Sequence, residues 1–230
     1  MTKAQMGSTE RMFLDRHDAG RQLAAALRGY AKDNPVVLAL PRGGVPVAFE
    51  VAKALGAELD LLFVRKIGAP GHDELGIGAV VDGPHPQLVL NESLARRTGA
   101  GRDYVEARMA RELDEMERRR EAYKKGEPPV DFSGCVVILV DDGIATGGTV
   151  KAALRGISRN NPSRLVLAVP VAPAEVIEEM NALSDEVICL ATPEPFQAVG
   201  LHYVDFTQTT DSEVEELLAA AKVWRNGNRP

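Results

Sequence analysis

Short unbroken apolar runs alternate along this chain with longer segments whose apolar residues recur every three to four positions. The runs are Pro35–Leu40 (PVVLAL), Leu59–Arg65 (LDLLFVR), Cys135–Val140 (CVVILV), Arg164–Val171 and Glu186–Leu190, with a shorter one at Leu88–Leu90. Each has the length of a strand, and little polar alternation interrupts them, the pattern of strands covered on both faces. Helical spacing predicts helices over Asp15–Tyr30 (Leu23, Leu27, Tyr30), Val45–Leu55 (Ala48, Val51, Ala52, Leu55), Val150–Ile157, Ala174–Leu183 and Asp211–Trp224 (Val214, Leu217, Leu218, Ala221). Buried strands alternating with amphipathic helices define an α/β fold, here a mostly parallel, doubly wound, Rossmann-like sheet. In such sheets ligands bind at loops leaving the carboxyl ends of strands, so the loops after Leu40, Arg65 and Val140 carry the interest.

Two stretches depart from the alternation. Ser93–Lys125 is a long charged helical segment with a narrow apolar stripe of Val105, Met109, Leu113 and Met116. Asp114–Arg118 and Glu115–Arg119 have the spacing of favourable helix pairs, so it reads as a solvated helix packed on one side. GEPPVD, residues 126–131, then breaks the chain. Gly68–Gly78 holds four glycines and a proline and reads as a mobile loop. At 230 residues the chain is expected to form one domain with a core over about residues 35–190.

With 33 acidic and 27 basic residues the net charge is −6. That balance speaks against sequence-independent binding to nucleic-acid backbones, which needs a Lys/Arg excess. No run approaches the roughly 18 apolar residues of a membrane span. The N-terminal MTKAQMGSTERM lacks the apolar core of a signal peptide, so a cytoplasmic location is expected. Cys135 and Cys189 both lie in apolar runs and read as buried thiols, and no CxxC is present.

The chemistry concentrates in VVILVDDGIATGGTVKAAL, Val136 to Leu154. A buried strand ends at Asp141 and Asp142; a loop rich in Gly and Thr follows, then a helix. Gly143, Gly147 and Gly148 allow close backbone approach and positive φ. Successive N–H groups of this loop can converge into an anion nest completed by the helix N-terminus. Thr146 and Thr149 add hydroxyl donors. Two carboxylates beside such a nest would repel an anion unless something lies between them. A sugar diol fits, because its hydroxyls donate to carboxylates, and so does a hydrated Mg²⁺. The expected ligand is a sugar phosphate with free hydroxyls. A phosphate-binding GxxxxGK[ST] loop is excluded because Thr149 stands in the lysine position, and neither a calcium loop nor GxGxxG is present.

VVILVDDGIATGGT closely resembles the phosphoribosyl-pyrophosphate signature of type I phosphoribosyltransferases. The resemblance implies that Asp141 and Asp142 hold the ribose hydroxyls, and Mg²⁺ through water, while Gly143 and Ala145 through Thr149 hold the 5-phosphate. LPRGGVPVA then resembles the family's pyrophosphate loop, which assigns Arg42, Gly43 and Gly44 to the diphosphate. KIGAPGHDELGIGA resembles its flexible loop, with Lys66, or alternatively Arg65, meeting the diphosphate and Glu74 as a candidate proton acceptor. The family's variable hood is expected from about residues 91–130 and 191–230, with Phe196, Tyr203 and Phe206 as candidates to stack on the base.

The implied reaction is Mg²⁺-dependent transfer of a phosphoribosyl group to a nitrogen of a small heterocyclic base, releasing pyrophosphate, as in nucleotide salvage. A homodimer is implied as well. Hypoxanthine–guanine members carry an aspartate where this chain has Ala145, so a 6-oxopurine acceptor is disfavoured. The alternative is a non-catalytic phosphoribosyl-pyrophosphate-binding regulator.

Overall fold

The computed structural model describes residues 12–227. Helix α1 (Arg16–Ala26) begins at Asp15, whose carboxylate accepts the Asp18 N–H. Strand β1 (Val36–Ala39), helix α2 (Gly44–Leu55) and strand β2 (Glu58–Leu61) form the first parallel crossover. After an excursion come β6 (Val136–Val140), α5 (Gly148–Ser158), β7 (Arg164–Val171), α6 (Ala174–Asn181) and β8 (Glu186–Ala191). Helix α7 (Asp211–Gly227) ends the described chain. The five strands make one fully parallel sheet in the order β2-β1-β6-β7-β8, as the apolar runs predict.

Two cores flank this sheet, and strand residues sort between them strictly by parity. Val37, Ala39, Ile138, Val140, Val166 and Ala168 face α1, α2 and α7. Val36, Leu38, Val137, Leu139, Leu165 and Leu167 face α5 and α6. Strand order reverses between β1 and β6, so the loops after these two strands diverge at their carboxyl ends and open a crevice.

The excursion between β2 and β6 differs from expectation. LDLLFVR is not one strand: β2 ends at Leu61, and Val64 opens β3 (Val64–Ala69) of a second sheet. The apolar run is continuous because Leu61 and Phe63 fill one core and Leu62 the other. Gly68–Gly78 is not a loop either. With β4 (His72–Val81) and β5 (Gln87–Leu90), β3 forms a three-stranded antiparallel sheet. Ala69 pairs with His72 across a two-residue Pro70–Gly71 turn, with Gly71 at φ 72°. The glycine at 68 serves close approach: a Cβ there would lie 2.5 Å from the Asp73 backbone.

The charged segment is two helices, α3 (Glu92–Arg97) and α4 (Arg102–Lys124). Val105 and Met116 are buried, but so are Glu112, Arg120 and Lys124. Arg120 bridges Asp60 (3.2 Å) and Asp82 (2.6 Å), and Lys124 reaches Asp60 at 2.7 Å. Asp82 also accepts the Phe63 N–H at 2.6 Å. Four buried charges of zero net sum thus clamp α4 onto the point where the chain leaves the main sheet. Of the expected surface pairs, Glu115–Arg119 forms at 3.1 Å, whereas Arg118 turns to Glu115 rather than Asp114. Cys135 and Cys189 are free and half-buried rather than fully buried.

Candidate active site

The loop after β6 has the geometry of an anion nest. Ile144 is anchored by its N–H to the Val171 carbonyl (2.9 Å), and Gly147 turns the chain into α5 at φ 73°. Ala145, Thr146, Gly148 and Thr149 are exposed. The amides from Ala145 to Val150 have no acceptor among the described residues; the first bond of the turn is Lys151 N–H to the Gly147 carbonyl at 2.8 Å. Six free donors therefore sit together at the positive end of α5. The Thr146 and Thr149 hydroxyls add two more donors beside them.

Asp141 and Asp142 stand at the tip of β6. The Asp142 N–H donates to Asp141 Oδ1 at 2.9 Å. Burial, and then the neighbouring Asp142 charge, raises the Asp141 pKa well above the ordinary carboxylate range. Burial raises Asp142 too, opposed by the Arg16 guanidinium. Arg16, the first residue of α1, places Nε 2.7 Å from Asp142 Oδ2, with both side chains largely buried. Its Nη1 donates to the Thr207 carbonyl at 2.7 Å, and its guanidinium lies 3.9 Å from the Phe206 ring centre. Sequence reasoning missed Arg16.

The wall behind this pair joins two distant segments. The Val204 N–H bonds to the Phe13 carbonyl and the Asp205 N–H to the Leu14 carbonyl, both at 2.8 Å. Tyr203 packs between Phe13 (5.3 Å) and Phe206 (5.0 Å) and donates its hydroxyl to the Asp142 carbonyl oxygen at 2.5 Å. Burial first, and then the Asp142 charge, pushes its phenol pKa up. Buried this way, Tyr203 supports the acid pair from behind rather than offering an open ring. Phe196 packs on His202 (5.4 Å), and Phe206 is half-buried under Arg16. Helix α7 packs on α2 and β2, away from this wall.

The loop after β1 reaches the same crevice. A Cβ on Gly43 would lie 2.2 Å from Asp142 Oδ2, and one on Gly44 would lie 2.9 Å from the Val140 carbonyl oxygen. Both glycines are therefore dictated by the close passage of this loop over the tip of β6. The Gly44 N–H, expected to face an anion, instead bonds the Leu40 carbonyl at 3.0 Å. The Gly43 N–H has no such partner among the described residues. Arg42 meets Asp211 at 3.5 Å and shares a crevice with Arg118 and Arg119 of α4.

The register of β3 separates the next two cations. Arg65 pairs with Glu112 of α4 at 3.1 Å. Lys66 points to the opposite face, where it shares a cavity with Thr146, Gly148 and Thr149 rather than with Arg42. Its ammonium bonds the Glu74 carbonyl oxygen and lies 3.8 Å from the Glu74 carboxylate, which is fully exposed. No cluster of three or more His, Cys, Asp or Glu side chains suited to a metal occurs among the described residues. No described helix is long and apolar enough to cross a membrane.

A parallel sheet with an amide nest and a paired acid at its switch point has the geometry in which α/β domains receive anionic ligands. The chain belongs to the phosphoribosyl transferase domain family, which matches residues 12–205. It is 46% identical over 211 residues to two curated Mycobacterium tuberculosis proteins, from strains H37Rv and CDC 1551, each named "Putative phosphoribosyl transferase". That similarity takes in 92% of this chain and 47% of theirs, so the chain spans about half the length of the curated relatives it matches. The crystal structure of TT1426 from Thermus thermophilus shares 46% identity and a TM-score of 0.79, covering 90% of this chain and 98% of that one.

Proposed function

We propose that this domain transfers a phosphoribosyl group from phosphoribosyl pyrophosphate to a nitrogen of a small heterocyclic base, releasing pyrophosphate. The observation that carries the reading is the row of six unpartnered amides beginning three residues after a half-buried acid pair. The amides of Ala145 to Val150, with the Thr146 and Thr149 hydroxyls, bind the 5-phosphate. Gly143 and Gly147 shape that nest. Asp141 and Asp142 accept hydrogen bonds from the ribose diol and hold the ring as positive charge develops at the anomeric carbon. Arg42 and the Gly43 N–H receive the departing diphosphate, with Arg118 and Arg119 close by.

Asp141 and Asp142, adjacent carboxylates at the tip of β6, would hold a Mg²⁺ through water. Such an ion would neutralise charge gathering on the diphosphate. The base is received by the wall of Phe196 and Phe206, with Tyr203 behind it. Glu74 takes the acceptor proton once its strand pair closes over the crevice. The absence of an acid at Ala145 favours acceptors other than 6-oxopurines.

Calorimetry with Mg²⁺ and phosphoribosyl pyrophosphate tests the donor site. A pyrophosphate-release screen over nucleobases tests the reaction. Release only when an acceptor is present is expected; binding without release for every base would identify a regulator instead. Asp142→Asn is expected to weaken donor binding with the fold retained, and unchanged affinity would remove the ribose assignment.

A further inference from the structure

We propose that the cavity between the β3-β4-β5 sheet and α5 is a second ligand site, built for a nucleoside phosphate. It measures about 700 Å³, within the roughly 300–1,000 Å³ of small-molecule pockets. Asp141, Asp142, Arg42 and Gly43 do not line it, so it is separate from the crevice above, although the two share the Thr146–Thr149 wall.

Cross-strand register builds one side. Lys66 pairs with Ala79, and Ala79 with Val89, so all three side chains leave the same face of the small sheet, the face turned to α5. Val64, two residues before Lys66, shares that face. The opposite side is α5 itself, where Lys151 and Arg155 stand one turn apart and both line the cavity. No carboxylate among the described residues lines it, in a chain whose net charge is −6.

Two of the cations have protein partners at the surface, and Lys66 also bonds the Glu74 carbonyl oxygen. Lys66 meets Glu74 at 3.8 Å and Lys151 meets Glu179, and both of those carboxylates are solvent-exposed. Ion pairs with solvent-exposed carboxylates contribute little, so a phosphate competes with them. Arg155 has no carboxylate partner among the described residues. Like charges one turn apart repel each other, and a bound anion relieves that repulsion.

The other half of the lining is apolar. Val64, Ala79 and Val89 form the back wall, and Gly76 leaves room beside Lys66, since a Cβ there would lie 2.9 Å from the Lys66 side chain. The Asn91 side chain at the rim offers its Nδ2 donor to a heterocycle edge, its Oδ1 already accepting from the Leu94 N–H and the Ser93 hydroxyl. Two cations on α5 facing an apolar wall that itself carries Lys66, with one amide at its end, match a phosphorylated nucleoside: phosphates against Lys66, Lys151 and Arg155, ring against Ala79 and Val89.

The test is calorimetry of the full chain with adenosine diphosphate, with and without saturating ribose 5-phosphate. One diphosphate per chain is expected, its affinity unchanged by ribose 5-phosphate. The double variant Lys151→Gln/Arg155→Gln is expected to bind adenosine diphosphate about tenfold or more weakly while keeping its ribose 5-phosphate affinity and its thermal transition. Mutual exclusion of the two ligands, unchanged diphosphate affinity in the variant, or no diphosphate binding would each overturn the proposal. Inorganic pyrophosphate binding as tightly as adenosine diphosphate would overturn it too, by removing the apolar wall from recognition. Failure of ribose 5-phosphate alone to bind would count against the transferase reading and leave the nucleotide arm readable.

Discussion

Arg16 sets the character of Asp142. Without the guanidinium 2.7 Å away, burial would push that carboxyl further up, and less of it would be ionised for the role in ribose binding proposed for it. Arg16→Met is therefore expected to move the acidic limb of the kcat/KM profile to higher pH and to raise KM for phosphoribosyl pyrophosphate, with Arg16→Lys partly restoring both. A pH profile that does not move would reduce Arg16 to packing. Gly43→Ala is expected to abolish donor binding, because its Cβ would occupy the Asp142 carboxylate position 2.2 Å away; calorimetry reads that loss directly. Asp141, Asp142 and the ATGGT loop were legible because they are contiguous and each residue type suits one part of a sugar phosphate. Arg16 was not, since its partner lies 126 positions away. One local signal does exist: a cation at the first residue of a helix opposes the helix dipole, which points to an acidic partner elsewhere.

Among the elements, parallel strands and their covering helices were legible to within a few residues because buried runs and helical periodicity are local signals. The excursion after β2 was not. Its glycines resemble those of a mobile loop, yet Gly68 and Gly78 permit the close strand contacts of an antiparallel sheet. Helix α4 was misjudged for a related reason: charge suggested solvent, whereas Arg120 and Lys124 are buried against Asp60 and Asp82. Arg120→Met leaves two buried carboxylates poorly compensated. It is expected to destabilise the domain by about 3–5 kcal/mol, measured by urea denaturation, whereas Arg102→Ala on the exposed surface should change stability little.

For the molecule as a whole, buried carboxyls tie stability to pH. Asp82 is raised to about 6, chiefly by burial, with Arg120 opposing. The folded chain therefore keeps that proton to higher pH than the unfolded chain does. Its contribution to stability grows as pH falls through about 6 and diminishes as pH rises. His202, buried with a lowered pKa, acts in the opposite direction. Comparison with Asp82→Asn isolates the Asp82 share: relative to that variant, the wild-type protein should gain on the order of 1 kcal/mol between pH 7 and pH 5. A constant difference in unfolding free energy across that range would show that Asp82 is ionised throughout. The alternation along β3 has a consequence for how this domain tolerates change. Adjacent Arg65 and Lys66 serve opposite helices, so deleting a single residue ahead of them would trade their addresses, sending arginine toward α5 and lysine toward Glu112 of α4. Descendants of this sequence should thus lengthen or shorten that ribbon in steps of two.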